Sequence, residues 1–556
     1  MSKNIASKVA YLLCAGSMFC SVAVAAEVAP LPAYTVQNAG FENAYSPLDV
    51  QKVGAYHAGM SDADGGVLEI VDYCKANGHA YAVNGKSGQL VVIAMADLRN
   101  GVGVTELSGT NVDVKALVED ATFVYGDMTS VAVSPDGKTL AVAIQSEDYA
   151  ANGRVALFDC QADGSLNFRQ TYVTGVQPDM VTFTPDGSKI LTANEGEPRK
   201  GYGAGAIDPA GSVTIVDLAK GSTAVTVGFT AFDSAEARQA MVNKQIVLKK
   251  GAAPSVDLEP EYIACNNDTA YISLQEANAI AVLDLHSNSF KGIHSVGFED
   301  YSKVAVDIDK KDGKYRGKTY ASLRGVRMPD AIALTNIGGQ DYLLTANEGD
   351  SRDWDGYCNE DARNFGKGQT SPSGKITAAN GLSGKVTFLN AKDNDGLDSS
   401  LDYLYGSRSF SCFRIGDNGL EEVFDSSNDF ESKTALYLPK YFNCSNDDVT
   451  IDDRSGKKGP EPETVVTGRV NGKDVAFVTL ERIGGVMMYE LLPGGKAKFA
   501  NYINTRDFNQ HIGDDDSPEG LKFIPAADSP TGKALLLAAC EVGGTVAAYE
   551  ITYNGK

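Results

Sequence analysis

The stretch "MTSVAVSPDGKTLAVAIQ", from Met128 to Gln145, decides the fold, because a close copy, "PDMVTFTPDGSKILTANE", runs from Pro178 to Glu195. Each copy is a β-rich run, a Pro-Asp-Gly turn and a second β-rich run, which is the pattern of a β-hairpin. A further strand follows each hairpin, in "GRVALFDC" from Gly153 and in "GSVTIVDL" from Gly211. The sequence therefore predicts a repeated β-sheet unit.

The same unit recurs along the chain. With the two clear copies, five weaker ones make seven, and they begin at Leu68, Pro260, Pro329, Pro462 and Pro518. Helical periodicity is nearly absent, and seven such units favour a seven-bladed β-propeller. We therefore predict an all-β fold, a single seven-bladed propeller over residues 49–556. The last unit ends at "TVAAYEI" without a fourth strand, so the strand-like "DVQKVGAYHAG" from Asp49 is predicted to close the ring.

A long loop insertion is predicted at about 350–459, a range rich in Asp, Asn, Ser and Gly. It starts where a strand ends at Glu348, so we expect it to overhang that end of the propeller, where long loops of rigid scaffolds usually carry function. Its segment "KDNDGLDSSLD" resembles a calcium loop in which Asp393, Asp395 and Asp398 share a cation. It lacks the spacing and closing Glu of an EF-hand, so a solvated turn is the alternative.

The pentapeptide Thr-Ala-Asn-Glu-Gly ends the second strand of two units, at Glu195 and again at Glu348. In every unit the first strand begins at or beside an acid, and the second ends at a polar or acidic residue. Folding each hairpin at its turn places these two positions side by side. The sequence therefore predicts that one rim of the propeller collects carboxylates, namely Asp179, Glu195, Glu261, Glu276, Asp330, Glu348, Glu463, Glu481, Glu519 and Glu541.

Crowded carboxylates need counter-charges, a bound cation or raised pKa values. Oxygen-only ligands favour Ca²⁺ or Mg²⁺, and with only five histidines and no H-E-x-x-H a zinc hydrolase is disfavoured. We therefore predict that the ten acids bind Ca²⁺ or Mg²⁺. Polar residues nearby are predicted to bind a ligand, namely Asn194, Asn347, Arg352, Arg408, Arg454 and Arg482. The alternative is structural: the acids cap strand ends or pair with these arginines.

The N-terminus has the layout of a secretory signal peptide. Lys3 and Lys8 precede and border an apolar run that closes with small residues up to Ala26. We predict a signal peptide over residues 1–26, a lead-in over 27–48, and an exported protein in the periplasm or outside the cell. No later apolar run approaches the roughly 20 residues of a membrane span. The expected product is a monomer that binds an envelope or extracellular ligand.

The formal net charge of −23 argues against one class of partner. Loss of the two signal-peptide lysines would lower it to −25. Such a surface repels nucleic acid and anionic lipid and attracts cations. Nucleic-acid binding is therefore excluded as a function.

Seven of the nine cysteines follow the predicted signal peptide, and none forms a C-x-x-C pair. An odd number leaves at least one thiol free or paired between molecules in an oxidising compartment. Cys358, Cys412 and Cys444 lie in the loop-rich stretch after Glu348. A disulfide among these three and a set of free thiols both remain open.

Six motifs of this chain resemble the choice-of-anchor I family, which includes bacterial relatives of the mesenchyme-specific cell-surface glycoprotein. They are "TANEGDSRD", "GSRSFSCFRI", "DDRSGKKGPEPETVV", "LERIGGVMMYEL", "YINTRDF" and "SPEGLKFIPAADSPTGKALLL". The resemblance runs from about Val50 to the C-terminus. It implies a propeller of the YVTN/WD-repeat-like class, exported and often attached to the cell surface. Some bacterial members are labelled alkaline phosphatase.

Two function classes follow. The first is a divalent-cation-binding module of the cell envelope without catalytic activity. The second is a metal-dependent phosphoesterase, in which cations on the acid rim polarise the ester and arginines bind its oxygens. A redox propeller is disfavoured because the chain has one tryptophan and no haem-attachment motif. No nucleophile or acid–base pair stands out, which favours the binding module.

Overall fold

A computed structural model describes residues 40–41, 48–98, 103–220, 223–417 and 419–553. The signal peptide predicted for residues 1–26 lies outside these residues, as does most of the lead-in predicted for 27–48. None of the helices in the described part of the chain is long and apolar enough to cross a membrane.

Seven antiparallel sheets, each with four strands in consecutive pairing, account for most strands of the described residues. We number them 1 to 7 along the chain. From first to fourth strand, sheets 1 to 4 are Val71–Cys74, His79–Asn84, Gln89–Ala94, Gly109–Asp113; Tyr125–Val133, Thr139–Ser146, Asn152–Cys160, Leu166–Val176; Pro178–Phe183, Lys189–Asn194, Ser212–Asp217, Thr223–Gly228; and Pro260–Cys265, Thr269–Leu274, Ala279–Asp284, Ser289–Ser295. Sheets 5 to 7 are Ile332–Ile337, Gln340–Ala346, Phe410–Gly416, Gly419–Asp425; Pro462–Val470, Lys473–Leu480, Val486–Leu492, Lys496–Ile503; and Pro518–Ile524, Ala534–Cys540, Thr545–Tyr553, Leu48–His57.

The first strands of the sheets contact one another in chain order, and the ring closes where Pro518–Ile524 of sheet 7 contacts Val71–Cys74 of sheet 1. The fourth strand of sheet 7 comes from the N-terminal side, as predicted. Val50 pairs with Ile551 and Tyr56 with Val546. The all-β propeller is therefore confirmed, with its first strands innermost and its two chain ends joined in one sheet. Two short strands, Gly40–Phe41 and Thr105–Glu106, pair with this closing strand.

The Pro-Asp-Gly turns form as the sequence predicts. Ser134 donates its hydroxyl to Asp136 at 2.7 Å, and Gly137 has a φ of +72°, a conformation that favours glycine. In the copy, Thr184 donates to Asp186 at 2.8 Å in the same way. A hydroxyl before the proline and an Asp after it therefore fix the hairpins of sheets 2 and 3.

The hydrophobic core lies between neighbouring sheets. Alternate residues of a strand point to opposite faces, so each sheet contributes to two such cores. Tyr81 and Leu90 of sheet 1 pack with Ile144 and Phe158 of sheet 2, and all four are fully buried. Burial of apolar surface in these layers stabilises the ring at about 25 cal/mol per Å².

The insertion predicted at about 350–459 is not one uninterrupted loop. It contains the third and fourth strands of sheet 5, Phe410–Gly416 and Gly419–Asp425, so the additional chain forms two segments, 347–409 and 426–461. The turn sequence "GDNG" between those strands was the available signal. Its flanking acidic residues obscured it, because the outer strand has no buried residue and therefore shows no alternation.

The remaining elements lie in these segments, in the connections around sheet 4 and beside the outer strand of sheet 1. The helices are Met95–Asp97, Val114–Val118, Thr230–Phe232, Ala235–Asn243, Pro254–Asp257, Phe365–Lys367, Ala378–Asn380 and Asp429–Tyr437. The additional strands are Leu248–Lys249 with Asn394–Asp395, Phe298–Asp300 with Leu323–Val326 and Asp402–Tyr405, Asp353–Trp354 with Tyr357–Cys358, and Glu360–Asn364 with Lys385–Leu389.

The calcium loop considered for "KDNDGLDSSLD" does not form. Asp395 pairs with Arg238 at 2.7 Å, and Asp393 accepts a hydrogen bond from Asn390 at 2.8 Å. Asp398 accepts the backbone N–H of Ser400 at 2.8 Å. Each carboxylate thus has its own protein partner. The seven cysteines of the described residues are free thiols, with Cys412 and Cys444 buried and Cys358 exposed.

Candidate metal centre at the acidic rim

Strand register brings the acids together. Pro178 pairs with Asn194, and Pro462 pairs with Leu480, so the acid after each proline lies next to the acid that ends the second strand. A register shift follows each of these prolines within two or three residues. Sheets 4 and 7 have the same shift, after Pro260 and Pro518. One local device therefore places carboxylates from several sheets on one rim.

Eight of the ten predicted acids fall into three groups whose carboxylate oxygens lie within 4.8 Å of one another. Site A lies between sheets 3 and 4, and sites B and C share Glu463 between sheets 5, 6 and 7. The members are Asp179, Glu195 and Glu261 for site A, Asp330, Glu463 and Glu519 for site B, and Glu348, Glu463 and Glu481 for site C.

The acids are only slightly exposed. At the ends of second strands, Glu195 and Glu348 are 7% exposed. At the starts of first strands, Asp179 and Asp330 are partly exposed. Burial, followed by the charge of Asp330, raises the pKa of Asp179 to about 7. Burial likewise raises the pKa of Asp330 to about 6 and that of Glu481 to about 7. Protons therefore neutralise part of the rim when no cation is bound.

Site B has an unsatisfied ligand atom at its centre. Glu463 is 8% exposed, and its Oε2 has no hydrogen-bond partner. Burial and the neighbouring charges of Glu348, Glu519 and Asp330 raise its pKa well above the ordinary value. A buried carboxylate oxygen without a partner is unfavourable by about 1–3 kcal/mol, which a bound cation would relieve.

Site C, in contrast, already has protein counter-charges. Lys458 pairs with Glu348 and lies 2.9 Å from Glu461, and Arg482 lies 2.9 Å from Glu481. Burial disfavours the ammonium of Lys458, yet the carboxylates of Glu348 and Glu461 outweigh it and hold its pKa well above the usual range. These two side-chain cations neutralise carboxylates that would otherwise need a metal ion.

Glu461 organises those cations. Burial alone would raise its pKa, but Arg454, Arg482 and Lys458 together hold the pKa of this carboxyl well below its usual range. Arg482 Nε lies 3.0 Å from Glu461, and Arg454 also pairs with it. One buried carboxylate thus fixes three cations at the edge of site C.

Two of the ten acids lie outside the three groups. Pro260 pairs with Leu274, so the position that matches Glu481 belongs to Gln275, not to Glu276. Gln275 donates to Glu348 at 2.6 Å. The predicted ligand role of Glu276 is therefore off by one residue.

Glu276 lies near the buried Arg352 and Glu259, with Oε2 unpartnered, and burial raises its pKa to about 7. Glu541 keeps the rim position but accepts hydrogen bonds from Ser517 at 3.0 Å and from the N–H of Gly66 at 3.3 Å. The carboxylate of Glu541 therefore already has hydrogen-bond partners within the protein.

Asn194 and Asn347 serve the fold, and ligand binding by them stays a prediction. Asn194 accepts from Thr192 at 2.9 Å and donates to Thr214 of the third strand at 3.0 Å. Asn347 donates to Ser411 at 2.8 Å in the equivalent position. Both side chains are fully buried, so the amide groups tie the second strand to the third.

Arg352 and Arg408 are also structural. Arg352 is fully buried with its Nε 2.9 Å from Asp257. Arg408 donates to Glu431 at 2.6 Å and to the carbonyls of Ser455 and Lys457. Their guanidinium groups are thus held within the protein, because a buried charge is stable only when it is paired.

Arg454 and Arg482 do border open space. They line a cavity of about 240 Å³ next to site C, formed largely by residues of the two additional segments. The two segments therefore reach the acidic rim, as expected from their origin at Glu348. The other lining residues are Asp350, Ser351, Glu360, Thr387, Tyr405, Lys457 and Lys458.

Sequence reasoning missed several charged residues of the rim. Glu259 is 2% exposed with both oxygens unpartnered, and Glu461 is fully buried. Both precede a proline in the tripeptide Glu-Pro-Glu, which occurs at 259–261 and 461–463 and was the available signal. Arg199, which lies 3.7 Å from Glu195, and Lys458 come from loops with no comparable pattern.

Comparison with curated proteins finds two invertebrate relatives. The chain is 29% identical over 183 residues to gigasin-3a of Magallana gigas, across 30% of this chain and 63% of that protein. It is 27% identical over 277 residues to the mesenchyme-specific cell surface glycoprotein of Strongylocentrotus purpuratus, across 43% of this chain and 35% of that protein. The chain thus spans less than two thirds of either relative.

Solved structures with similar folds include the Cps50 β-propeller domain of Myceliophteria thermophila, at 9% identity and a TM-score of 0.43, covering 91% of this chain and 100% of that one. Streptogramin B lyase matches at 7% identity and a TM-score of 0.43, covering 91% and 98%. The sheet order and the ring closure define the propeller independently of them. The model of the choice-of-anchor I domain matches residues 69–492, more than half of the chain, and this protein therefore belongs to the choice-of-anchor I family.

Proposed function

We propose that this protein is an exported β-propeller that binds divalent cations at its acidic rim and acts as a binding module of the cell envelope. Membership of the choice-of-anchor I family indicates a cell-surface or extracellular module. The observation that supports a bound cation is Glu463. Its buried Oε2 lacks a partner, and its carboxylate offers an oxygen within 4.8 Å of ligand atoms from Asp330 and Glu519.

Site B is the principal cation site in this proposal. Its ligands are carboxylates, which suit Ca²⁺ and Mg²⁺. Asp330 and Glu519 are partly exposed, so an ion can reach the site from the channel and keep water ligands. Site A has the same donor chemistry and is a second site, whereas Lys458 and Arg482 neutralise site C.

The name of one relative supports a role at surfaces. One is named a cell surface glycoprotein, and the propeller fold presents long segments beside an acidic rim. A cation held there can bridge the rim to anionic groups of an envelope polymer, because it keeps open coordination positions. Periplasmic and extracellular placement both fit this role.

The test starts from protein treated with a chelator. Adding Ca²⁺ should raise the free energy of unfolding by about 3 kcal/mol for each occupied site at a hundredfold excess over the dissociation constant. The double variant Glu463→Gln, Glu519→Gln should lose the part of this gain that site B supplies. Adding Glu195→Gln should remove the rest.

Glu541→Gln is the matched control, since Glu541 lies on the same rim but outside all three sites. It should respond to Ca²⁺ as the unchanged protein does. A melting temperature that ignores Ca²⁺, Mg²⁺ and Mn²⁺ alike would overturn the proposal.

A second candidate, a metal-dependent phosphoesterase, is favoured by one observation. The cavity of about 240 Å³ places Arg454, Lys457, Lys458 and Arg482 beside the carboxylates of site C. Cations of this kind bind phosphate oxygens, and a metal at site B could polarise the ester. Hydrolysis of a phosphomonoester or phosphodiester with Ca²⁺, Mg²⁺ or Mn²⁺, abolished by Glu463→Gln, would decide for this candidate.

A further inference from the structure

Two cysteines of neighbouring sheets end their strands on the side of the propeller away from the acidic rim. Cys74 is the last residue of the first strand of sheet 1, and Cys160 is the last residue of the third strand of sheet 2. Both strands begin at the rim side: Val71 pairs with Ala82 near the end of the second strand of sheet 1, and Arg154 pairs with Ile144 near the end of the second strand of sheet 2. The pair is therefore separate from the metal centre.

The turn of sheet 2 brings the two residues together. Cys74 Sγ donates to the carbonyl of Gly137 at 3.2 Å. The N–H of Cys160 donates to the carbonyl of Lys138, the next residue, at 2.9 Å. The carbonyls of two consecutive residues, Gly137 and Lys138, thus accept hydrogen bonds from the thiol of Cys74 and from the backbone N–H of Cys160.

The direction of the side chains completes the geometry. Cys160 lies two residues after Phe158 in the same strand, so both side chains point to the same face of sheet 2. Phe158 and Cys74 belong to one buried cluster, and Cys160 packs against it. The two cysteine side chains interact directly.

Hydrogen bonds around the pair hold the two sheets in register. Asn77 donates to the carbonyl of Gln161 at 2.8 Å, and the hydroxyl of Tyr81 donates to the carbonyl of Gly164 at 3.0 Å. These bonds join the turn after Cys74 to the turn after Cys160. The thiols can therefore approach each other without a rearrangement of either sheet.

We propose that Cys74 and Cys160 form a disulfide that links sheets 1 and 2 when the protein meets a disulfide oxidant. The new bond joins the two Sγ atoms, and the S–S bond of the oxidant, such as oxidised glutathione, breaks. The oxidant takes both electrons and both thiol protons and leaves as two thiols. Cys160 is partly exposed and gives the oxidant access, while Cys74 is buried.

The reactivity of the pair agrees with this assignment. The interaction between the two thiols lowers the pKa of Cys74 to about 6, despite its burial, and raises that of Cys160. The thiolate is the form that attacks a disulfide, so Cys74 is ready to displace the carrier from Cys160. The other cysteines with shifted pKa values, such as Cys265 and Cys412, are shifted upwards by burial.

The experiment is a disulfide map. Purified protein is incubated with oxidised glutathione, denatured in excess alkylating reagent and digested with trypsin. Cleavage after Lys52, Lys75, Arg154 and Arg169 releases one peptide with Cys74, 53–75, and one with Cys160, 155–169. We expect these two peptides joined by a disulfide, and separated after reduction.

Cys74→Ser and Cys160→Ser should each abolish the joined peptide, while Cys265→Ser should leave it unchanged. The melting temperature of the oxidised protein should fall by a few degrees on reduction. The melting temperature of the Cys160→Ser variant should be the same before and after reduction. Recovery of both peptides in alkylated form after oxidation, or of either joined to another cysteine, would overturn the inference. The protein is oxidised in vitro, so the result does not depend on export or on cation binding.

Discussion

The two copies of Thr-Ala-Asn-Glu-Gly share one backbone conformation but differ in the charges around them. In each, the Asn binds the third strand, and the Gly after the Glu has a positive φ, +74° at Gly196 and +86° at Gly349. Glu195 faces two other carboxylates, with Arg199 3.7 Å away. Glu348 instead pairs with Lys458 and accepts a hydrogen bond from Gln275.

The difference shows that a local motif fixes where a carboxylate lies but not which charges surround it. Burial raises the pKa of both Glu195 and Glu348 well above the ordinary value. Lys458 comes from a segment 110 residues after Glu348, in the connection that leads into sheet 6. No equivalent lysine reaches Glu195 among the described residues. The same pentapeptide therefore places its glutamate beside a lysine at sheet 5 and beside two other carboxylates at sheet 3.

The largest effect should come from breaking the ion pair at the second copy. Glu348→Gln removes the closest carboxylate of Lys458 and leaves its ammonium to Glu461 and Asp350, so the free energy of unfolding should fall by about 3 kcal/mol, the upper range for a hydrogen bond to a charged group. Urea unfolding in the presence of a chelator measures this loss. The double variant Glu348→Gln, Lys458→Met should recover part of it, because the ammonium no longer has to be desolvated. A single variant as stable as the unchanged protein would contradict the ion-pair reading.

Glycine substitution compares the backbones of the two copies. A Cβ at Gly349 would lie 2.0 Å from the backbone N of Gly406, whereas one at Gly196 would lie 2.8 Å from the carbonyl carbon of Ala210. Gly349→Ala should therefore destabilise the protein by about 2–3 kcal/mol, and Gly196→Ala by about 1–2 kcal/mol. Thermal melts of both variants give the order. Equal melting temperatures would show that the two turns are equally adaptable.

The pH dependence separates protons from cations at the rim. The folded-state pKa is raised to about 7 at Asp179 and to about 6 at Asp330, above the unfolded value of about 3.9. The folded state therefore binds more protons, and this part of the stability, fully present below about pH 4, is lost as pH rises to about 7. Urea unfolding with a chelator should show the decline.

Asp179→Asn with Asp330→Asn should flatten that decline, because the side chains no longer titrate. Saturating Ca²⁺ should reverse it in the unchanged protein, since ionised carboxylates bind the cation. A stability that rises with pH in the absence of any cation would contradict raised pKa values at the rim.

The smallest effect is expected at the first copy. Glu195→Gln removes one of three crowded carboxylates, so the metal-free protein should gain up to about 1 kcal/mol in unfolding free energy. The same variant should lose the contribution of site A to stabilisation by Ca²⁺. In the presence of a chelator, the change in unfolding free energy should be positive for Glu195→Gln and negative for Glu348→Gln. Equal losses in the two variants would contradict the comparison.

Much of the fold could be predicted from the sequence because its determinants are local. Pro-Asp-Gly turns, alternating burial and prolines before acids specify each hairpin within about 20 residues. The closing strand from Val50 to Tyr56 was predictable for the same reason, as the last unit lacked a partner. Eight of the ten rim acids followed from the hairpin geometry alone.

Only the tertiary structure decided the rest. The shift of one residue that replaces Glu276 by Gln275 arises from the pairing of Pro260 with Leu274, which no composition reveals. The placement of Lys458, Arg482 and Arg454 around Glu461 depends on long segments whose paths are set by packing. The sequence by itself thus determined most of the acids that line the rim, because hairpin turns are local. The fold decided which of them gain a counter-charge, because a partner such as Lys458 comes from a distant part of the chain.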